Sequence, residues 1–239
     1  LSSNRNGQSK AVWIFFLLVG FTVGYIVYYV SDVRVFFGRA KKRYARIFSE
    51  TEKYKAEKSH IECDKSTALS MNFLESAGDF GAYDGTDVEY FPSGASFYDD
   101  VLERIERAEK FVFIEYFIIA DGVLLNRFLD VLERKAAEGV DVRMMYDDLG
   151  SNRTLRRKTK KRIVRSGIKL TGFNRLTPRF TVAMNFRDHR KIVVVDGKTA
   201  YTGGSNLADE YINEKRMYGY WKDTGLRLDG KAVDVFTLM

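Results

Sequence analysis

Residues 185–206 read N-F-R-D-H-R-K-I-V-V-V-D-G-K-T-A-Y-T-G-G-S-N, and this stretch decides the fold. Within it His189, Lys191 and Asp196 form an H-x-K-x4-D pattern, followed by Gly203-Gly204-Ser205-Asn206. Residues 190–195 are a run of β-branched side chains behind a polar opening, which reads as a buried strand. His189 and Lys191 stand two apart, so they share one face of that strand. Asp196-Gly197 is a two-residue hairpin signal, with 199–202 as the return strand. With that turn Lys191 pairs with Thr202 and His189 with Gly204. With Gly197-Lys198 as the turn, Lys191 faces Gly204 and His189 faces Asn206. Either register sets the G-G-S-N end across from His189 and Lys191, and the two glycines are expected to leave open space beside the imidazole. An imidazole, an ammonium, an amide and a glycine-lined gap suit a tetrahedral phosphate. Lys191 supplies charge, Asn206 an N–H donor, and His189 a nucleophile or proton carrier.

This string resembles the signature of the phospholipase D superfamily. Together with T-G-G-S-N and D-E-Y it is similar to bacterial cardiolipin synthases, in their N-terminal half with the first H-x-K-x4-D motif. The resemblance runs from Val88 to the C-terminus and extends more weakly to the N-terminal segment. It implies an α/β fold of the phospholipase D-like layered kind, a mixed β-sheet flanked by helices, preceded by a transmembrane helix. It also implies a phosphatidyltransferase that condenses two phosphatidylglycerol molecules to cardiolipin and glycerol through a phosphatidyl-histidine on His189. Lys191 and Asn206 then hold the phosphoryl oxygens, with Gly203, Gly204 and Ser205 on the substrate side. Asp196 belongs to the motif, and its position at the turn suggests a structural role. Asp223, in Tyr-Trp-Lys-Asp-Thr, matches an acid that orients the histidine and stabilises an imidazolium. Where the synthases commonly read D-T-H, this chain has Asp223-Thr224-Gly225, which leaves one side chain missing near the site.

Composition bounds the partners. A net charge of +7 and a pI near 9.3 fit an anionic partner, either nucleic acid or an acidic membrane surface. Cys63 is the only cysteine, and the histidines number two, His60 and His189. An internal disulfide is excluded, and neither a cofactor nor a metal site is expected.

Residues 11–30 carry no charge over a length that suffices to cross a bilayer core of ~30 Å, with Tyr25, Tyr28 and Tyr29 at one end. A cleaved signal peptide and a buried core helix are the competing readings. The basic residues from Arg34 to Arg46 put the C-terminal side in the cytoplasm, and the resemblance implies a bacterial inner membrane. The expected organisation is a membrane-anchor segment over 1–35, a charged juxtamembrane linker over 36–85, and a catalytic half-domain over 86–239, truncated at its C-terminus. Residues 40–58 read as a solvated helix, and 76–85, rich in Gly and Asp, as the domain boundary. Strands are expected at 88–91, 111–119, 140–146, 168–173 and 224–228, and helices from Ser96, over 123–138 and 154–166, and from Asn206 to Glu214. Twice a helix closes on glycine (Gly139, Gly167) and leads straight into a strand, as βαβ units do.

Glu115 interrupts an apolar strand and should have a partner, either Lys191 or an arginine, unless that strand is an edge facing water. It is counted with the substrate-side residues. Asp147 and Asp148 could be read as metal ligands, but the resemblance makes them structural or substrate-side groups. Eight cations lie between Arg153 and Arg165 and suit an anionic lipid surface, which Arg175, Arg179, Arg187 and Arg190 would extend. The rivals are a phospholipase D hydrolase with water as acceptor, and a dimeric single-motif nuclease of the same superfamily. The expected partners are phosphatidylglycerol and the membrane rather than nucleic acid. His60 has no lysine two residues on, so a second catalytic motif must come from a C-terminal half or a homodimer partner.

Overall fold

The computed structural model describes residues 80–175, 187–217 and 219–239 without a break, together with 45–54, 59, 61–78 and scattered earlier positions. The chain separates into two units, Leu1–Glu50 with Thr177–Phe186 and Thr51–Leu176 with Arg187–Met239. The sheet and the candidate site belong to the second. Most of 11–30 lies outside the described residues, among which no helix is long and apolar enough to cross a membrane.

In chain order the elements are α1 (Lys65–Gly78), β1 (Thr86–Phe91), α2 (Gly94–Glu106), β2 (Phe111–Tyr116), α3 (Val123–Ala137), β3 (Asp141–Asp147), the one-turn α4 (Asp148–Ser151), α5 (Arg157–Arg165), β4 (Lys169–Phe173), β5 (Lys191–Val195), β6 (Thr199–Gly203), β7 (Gly225–Gly230) and α6 (Val233–Leu238). The strands form one sheet in the order β1-β7-β6-β5-β2-β3-β4. β2, β3 and β4 run parallel, and every other neighbouring pair is antiparallel. The expected mixed sheet with flanking helices is therefore present. Its directions bring the C-terminal ends of β2, β3, β4 and β6 to the same edge as the N-terminal ends of β5 and β7.

Period-2 alternation divides the strands between two cores. Val112, Ile114 and Tyr116 of β2, with Val193 and Val195 of β5, join the larger cluster with Phe97, Tyr98, Val101, Leu102 and Ile105 of α2 and Leu125, Phe128 and Leu132 of α3. Ile192, Val194 and Ala200 face the other way, onto Val233 of α6. Phe97, Val101, Leu102, Ile105 and Ala108, spaced as one helical stripe, are thus buried as a whole. Gly139 and Gly167 take φ of +93° and +88°, the left-handed conformation that closes a helix on glycine.

Several expectations are corrected. The helix α1 was not foreseen, and its last turn overlaps the boundary placed at 76–85; none of its residues is buried. The strand expected to reach residue 119 stops at Tyr116, because Ile118 N–H donates to Asn206 and Ile119 N–H to Ser151 rather than to a neighbouring strand. The helix expected from residue 154 begins at Arg157, since Thr154 Oγ1 donates to the carbonyl of Ile119 at 2.8 Å and holds the preceding turn against the chain after β2. In place of a helix over 206–214 there is one 3-10 turn, Asp209–Ile212. The Asp209 carboxylate there accepts from the N–H groups of Val123 and Leu124 at 2.9 and 2.8 Å. It caps α3, whose own N-cap, Gly122, has no side chain to offer.

The hairpin register falls between the two expected ones. Val195 pairs with Thr199 and Ile192 with Thr202, so the loop is three residues long, 196–198. Asp196 and Gly197 both take positive φ, 56° and 67°. The reason is tertiary: Asp196 accepts from the backbone N–H groups of Glu109, Lys110 and Phe111 at 2.9, 2.7 and 2.9 Å. This carboxylate ties the start of β2 to the end of β5, at the edge of the sheet away from His189. Burial pushes it up, but the three N–H donors outweigh that and hold it below the usual carboxylate range. A depressed folded value contributes stability above the unfolded carboxylate range and loses it as pH falls through the folded value. Asp196→Ala is expected to destabilise the domain by about 2–4 kcal/mol in urea unfolding at neutral pH, with the gap to wild type closing as the carboxylate is titrated.

Candidate active site

The site is assembled where β5 begins, β6 ends and β7 begins. Lys191 is the first residue of β5, opposite Tyr116 on β2, and is buried. Its Nζ donates to the carbonyl of His189 at 2.6 Å and lies 5.5 Å from the Phe117 ring centre. Burial lowers the lysine's affinity for its proton, while the charges of Asp188 and Asp223 work in the opposite direction. His189 is exposed, its ring tilted against Phe117 at 4.8 Å between centres. His189 precedes β5, so in place of the strand face expected for it and Lys191 there is a contact between the ammonium and the histidine's own carbonyl.

Asn206 is buried and oriented by its neighbours. Its Oδ1 accepts from Ile118 N–H at 3.0 Å, and its Nδ2 donates to the Tyr211 hydroxyl at 2.7 Å. The hydroxyl of the fully buried Tyr98 donates to the Asn206 carbonyl at 2.8 Å. The Tyr211 ring meets Trp221 edge-on at 5.2 Å, and the Trp221 indole N–H donates to Asp223 Oδ2 at 3.4 Å. Asn213, in the left-handed region at φ 61°, clamps Trp221 by accepting from its N–H at 2.7 Å and donating to its carbonyl at 2.9 Å. A relay of side chains therefore links Asn206 to Asp223 through Tyr211 and Trp221. Sequence reasoning passed over both aromatics. Their only signal was the D-E-Y and Tyr-Trp-Lys-Asp strings in which they stand.

The glycines do not leave the gap expected of them. A Cβ on Gly204 would stand 2.3 Å from Oδ1 of Asp223, and one on Gly203 would stand 2.5 Å from the carbonyl of Thr224. The space is filled by the Asp223 carboxylate and by the backbone entering β7. Nor is there a vacancy at Gly225, where a Cβ would meet the Phe97 ring at 2.1 Å. The aromatic ring of α2 occupies the place of the side chain that the D-T-G departure removes. Ser205 is buried beneath this layer at 1% exposure, which makes it a packing residue in this geometry. Asp223 accepts from Thr224 N–H at 2.8 Å as well as from Trp221, and no hydrogen bond joins it to His189 among the described residues.

The edge-strand reading of Glu115 is wrong: β2 lies inside the sheet between β5 and β3, and Glu115 is 9% exposed. Its partner is Arg190, with Nε at 2.7 Å. Asp147 is committed to the fold. It accepts from the N–H groups of Leu149 and Gly150, from Arg187 at 3.1 Å and from Asp188 N–H at 2.9 Å. Arg187 and Arg190 are thus engaged by acids beside His189 instead of extending a basic surface, and Arg179 lies outside the described residues. Asp188, directly before His189, is a further site residue that the sequence reading missed.

Comparison with known proteins accords with this arrangement. A family described as "Cardiolipin synthase, PLD-like domain" matches residues 101–217, which hold the sheet core and the signature. A cardiolipin synthase from Oceanobacillus iheyensis is 33% identical over 241 residues, 96% of this chain and 50% of its own length. This chain belongs to the phospholipase D-like family of the bacterial cardiolipin synthases. Cardiolipin synthase 2 of Staphylococcus epidermidis is 40% identical over 152 residues, 64% of this chain and 31% of that protein. The chain thus spans no more than half the length of these relatives. The fold also matches a phosphatidylserine synthase structure from Haemophilus influenzae, at a TM-score of 0.50 and 17% identity, over 62% of this chain and 34% of that one.

In this phospholipase D-like site the tight contact at Gly204 supplies a test. Gly204→Ala is expected to displace the Asp223 carboxylate and to cost about 1–3 kcal/mol in chemical denaturation, as overpacking does. The indole N–H resonance of Trp221 should shift in the same variant.

Proposed function

We propose that the chain carries one half of a phosphatidyltransferase site that makes cardiolipin from phosphatidylglycerol. The supporting observation is the layering at one sheet edge: an exposed imidazole, His189, above a buried ammonium, Lys191, with the oriented amide of Asn206 and the carboxylate of Asp223 alongside. An imidazole nitrogen of His189 attacks phosphorus, and the P–O bond to the departing glycerol breaks. The hydroxyl of a second phosphatidylglycerol then displaces the histidine. Lys191 and the free side of the Asn206 amide offset the charge that builds on the phosphoryl oxygens. The leaving oxygen needs a proton from the side opposite the attack, which His189 cannot supply in the same in-line step. A second copy of the signature, on a longer chain or a partner, provides it. Asp223 acts on this site through Lys191 and the Trp221–Tyr211–Asn206 relay.

The same reading places the site against an anionic bilayer, with residues 11–30 as a tether and the catalytic part on the cytoplasmic side. Of the eight cations between Arg153 and Arg165, Arg156 pairs with Asp121, Lys160 with Asp148, and Arg162 with Asp130 and Glu133. Arg157, Lys158, Lys161 and Arg165 remain on the exposed side of α5, around Val164 at 57% exposure. A basic helix face with an apolar centre suits acidic headgroups.

Two measurements test these proposals. In the full-length protein, His189→Asn is expected to lower turnover of phosphatidylglycerol by at least ~10³ without unfolding the domain, and acid-quenched wild type should carry a covalent phosphatidyl group that the variant lacks. Reversing Arg157, Lys161 and Arg165 to Glu is expected to weaken binding to phosphatidylglycerol vesicles by roughly 100-fold at low salt, at ~1 kcal/mol per cation removed. Vesicles of neutral lipid should show no difference.

A further inference from the structure

Two carboxyl groups and one guanidinium surround the backbone of His189, and none of them is used by the chemistry above. Glu115 sits next to the last residue of β2 on the sheet face opposite the main core, and Asp188 immediately precedes the histidine; they are 9% and 7% exposed. Arg190 immediately follows it. Arg190 Nε lies 2.7 Å from Glu115 Oε1 and 3.1 Å from Asp188 Oδ1, and the Arg190 backbone N–H donates to the same Asp188 oxygen at 3.2 Å. One guanidinium nitrogen therefore stands against an oxygen of each of two buried carboxyls. Two ionised carboxylates drawn onto one guanidinium repel, and that single charge does not neutralise both. A proton held between them removes the repulsion and makes one acid a donor to the other.

We propose that Glu115 and Asp188 share one proton and, with Arg190, act as positioning residues that hold the backbone on both sides of His189. The functional part of this inference rests on the reading of His189 as the nucleophile. The proton resides on Glu115. Burial, then the hydrogen bond to Asp188 and its charge, push the Glu115 carboxyl up to about 8, with Arg190 opposing. Burial pushes Asp188 up too, but the bond from Glu115 and the Arg190 guanidinium together hold it below the usual carboxylate range. The other charges near the pair are Lys191 on β5, Arg143 on β3, Lys169 on β4 and the Asp147–Arg187 ion pair against the Asp188 backbone; α6 brings only uncharged side chains to this face. Arg143 and Lys169 are both engaged by Asp141, at 2.6 and 2.8 Å, so neither replaces the shared proton.

The sign of the pH effect follows. A carboxyl whose folded value is raised contributes full stability below its unfolded value and loses that contribution as pH rises through the folded value. Wild-type stability should therefore fall between the ordinary carboxylate range and about pH 8, and Glu115→Gln, which keeps the donor to Asp188 without a titrating proton, should remove that slope.

The experiment uses the full-length protein and its Glu115→Gln, Glu115→Ala and Asp188→Asn variants. The infrared spectrum near pH 6.5 is expected to contain a protonated-carboxyl band that is absent in Glu115→Gln. Glu115→Ala is expected to lower kcat by about 100-fold with little change in KM, as misplacement of a nucleophile does. Glu115→Gln should recover most of that loss at neutral pH and lack the fall in rate that wild type shows as pH rises through 8. Asp188→Asn should move the fall to lower pH, because it removes the negative charge that holds the proton on Glu115. The proposal is overturned if the protonated-carboxyl band survives Glu115→Gln, or if Gln is as poor as Ala at neutral pH. Retained turnover in His189→Asn would sink the nucleophile reading alone, since the infrared band and the stability slope do not depend on it.

Discussion

The carboxylate of Asp147 is buried at the end of β3, and the organisation of the sheet edge that carries His189 depends on it. An ionised group at 1% exposure is costly unless every lone pair is used. Asp147 meets that requirement with two N–H groups of α4, the Arg187 guanidinium and the backbone N–H of Asp188. Two of those donors lie within two residues of His189. The need to saturate one buried charge thus brings the chain into β5 at a defined place, and Arg190 and Glu115 hold it from the other side. Lys191 completes the fixation by donating to the His189 carbonyl. The imidazole is left exposed on a backbone that is restrained on both flanks, the preorganisation that the proposed attack of His189 on phosphorus requires.

The sheet separates two tasks by its two ends. At the end where β5 finishes, Asp196 gathers three backbone N–H groups and secures the hairpin to β2. At the other end the strand termini converge on His189, Lys191, Asn206 and Asp223. Glycine is needed here for close packing rather than for open space. At Gly203, Gly204 and Gly225 any side chain would collide with the Thr224 carbonyl, the Asp223 carboxylate or the Phe97 ring. Gly204 stays exposed and Gly203 half-buried, while Lys191 and Asn206 lie buried beside them.

Much of the architecture was legible because it follows local rules. The β-branched run after Lys191, the glycine-closed helices and the α2 stripe all became the elements their patterns implied. The failures share a cause. Residues 206–214 looked helical but gave up the helix because Asp209 caps α3. The hairpin took a register between the two expected ones because Asp196 answers to residues 109–111. For Glu115 the choice between a buried acid with an arginine partner and an edge residue stayed open because no local pattern records which strands will flank β2, and the arginine reading is the one that holds.

The sequence by itself determined the chemistry available and the family that supplies it, since H-x-K-x4-D and G-G-S-N bring the reacting groups within one hairpin of each other. It also determined the alternation that buries each strand on two faces. Only the tertiary structure decided what surrounds those groups: that Asp188 bonds through its backbone to a carboxylate 41 residues away, that Glu115 reaches Arg190, and that Trp221 and Tyr211 join Asp223 to Asn206. These are contacts between polar groups distant in the chain. They arise because buried charges and hydrogen-bonding groups must each find a partner, and which partner is at hand is settled only when the strands have taken their order in the sheet.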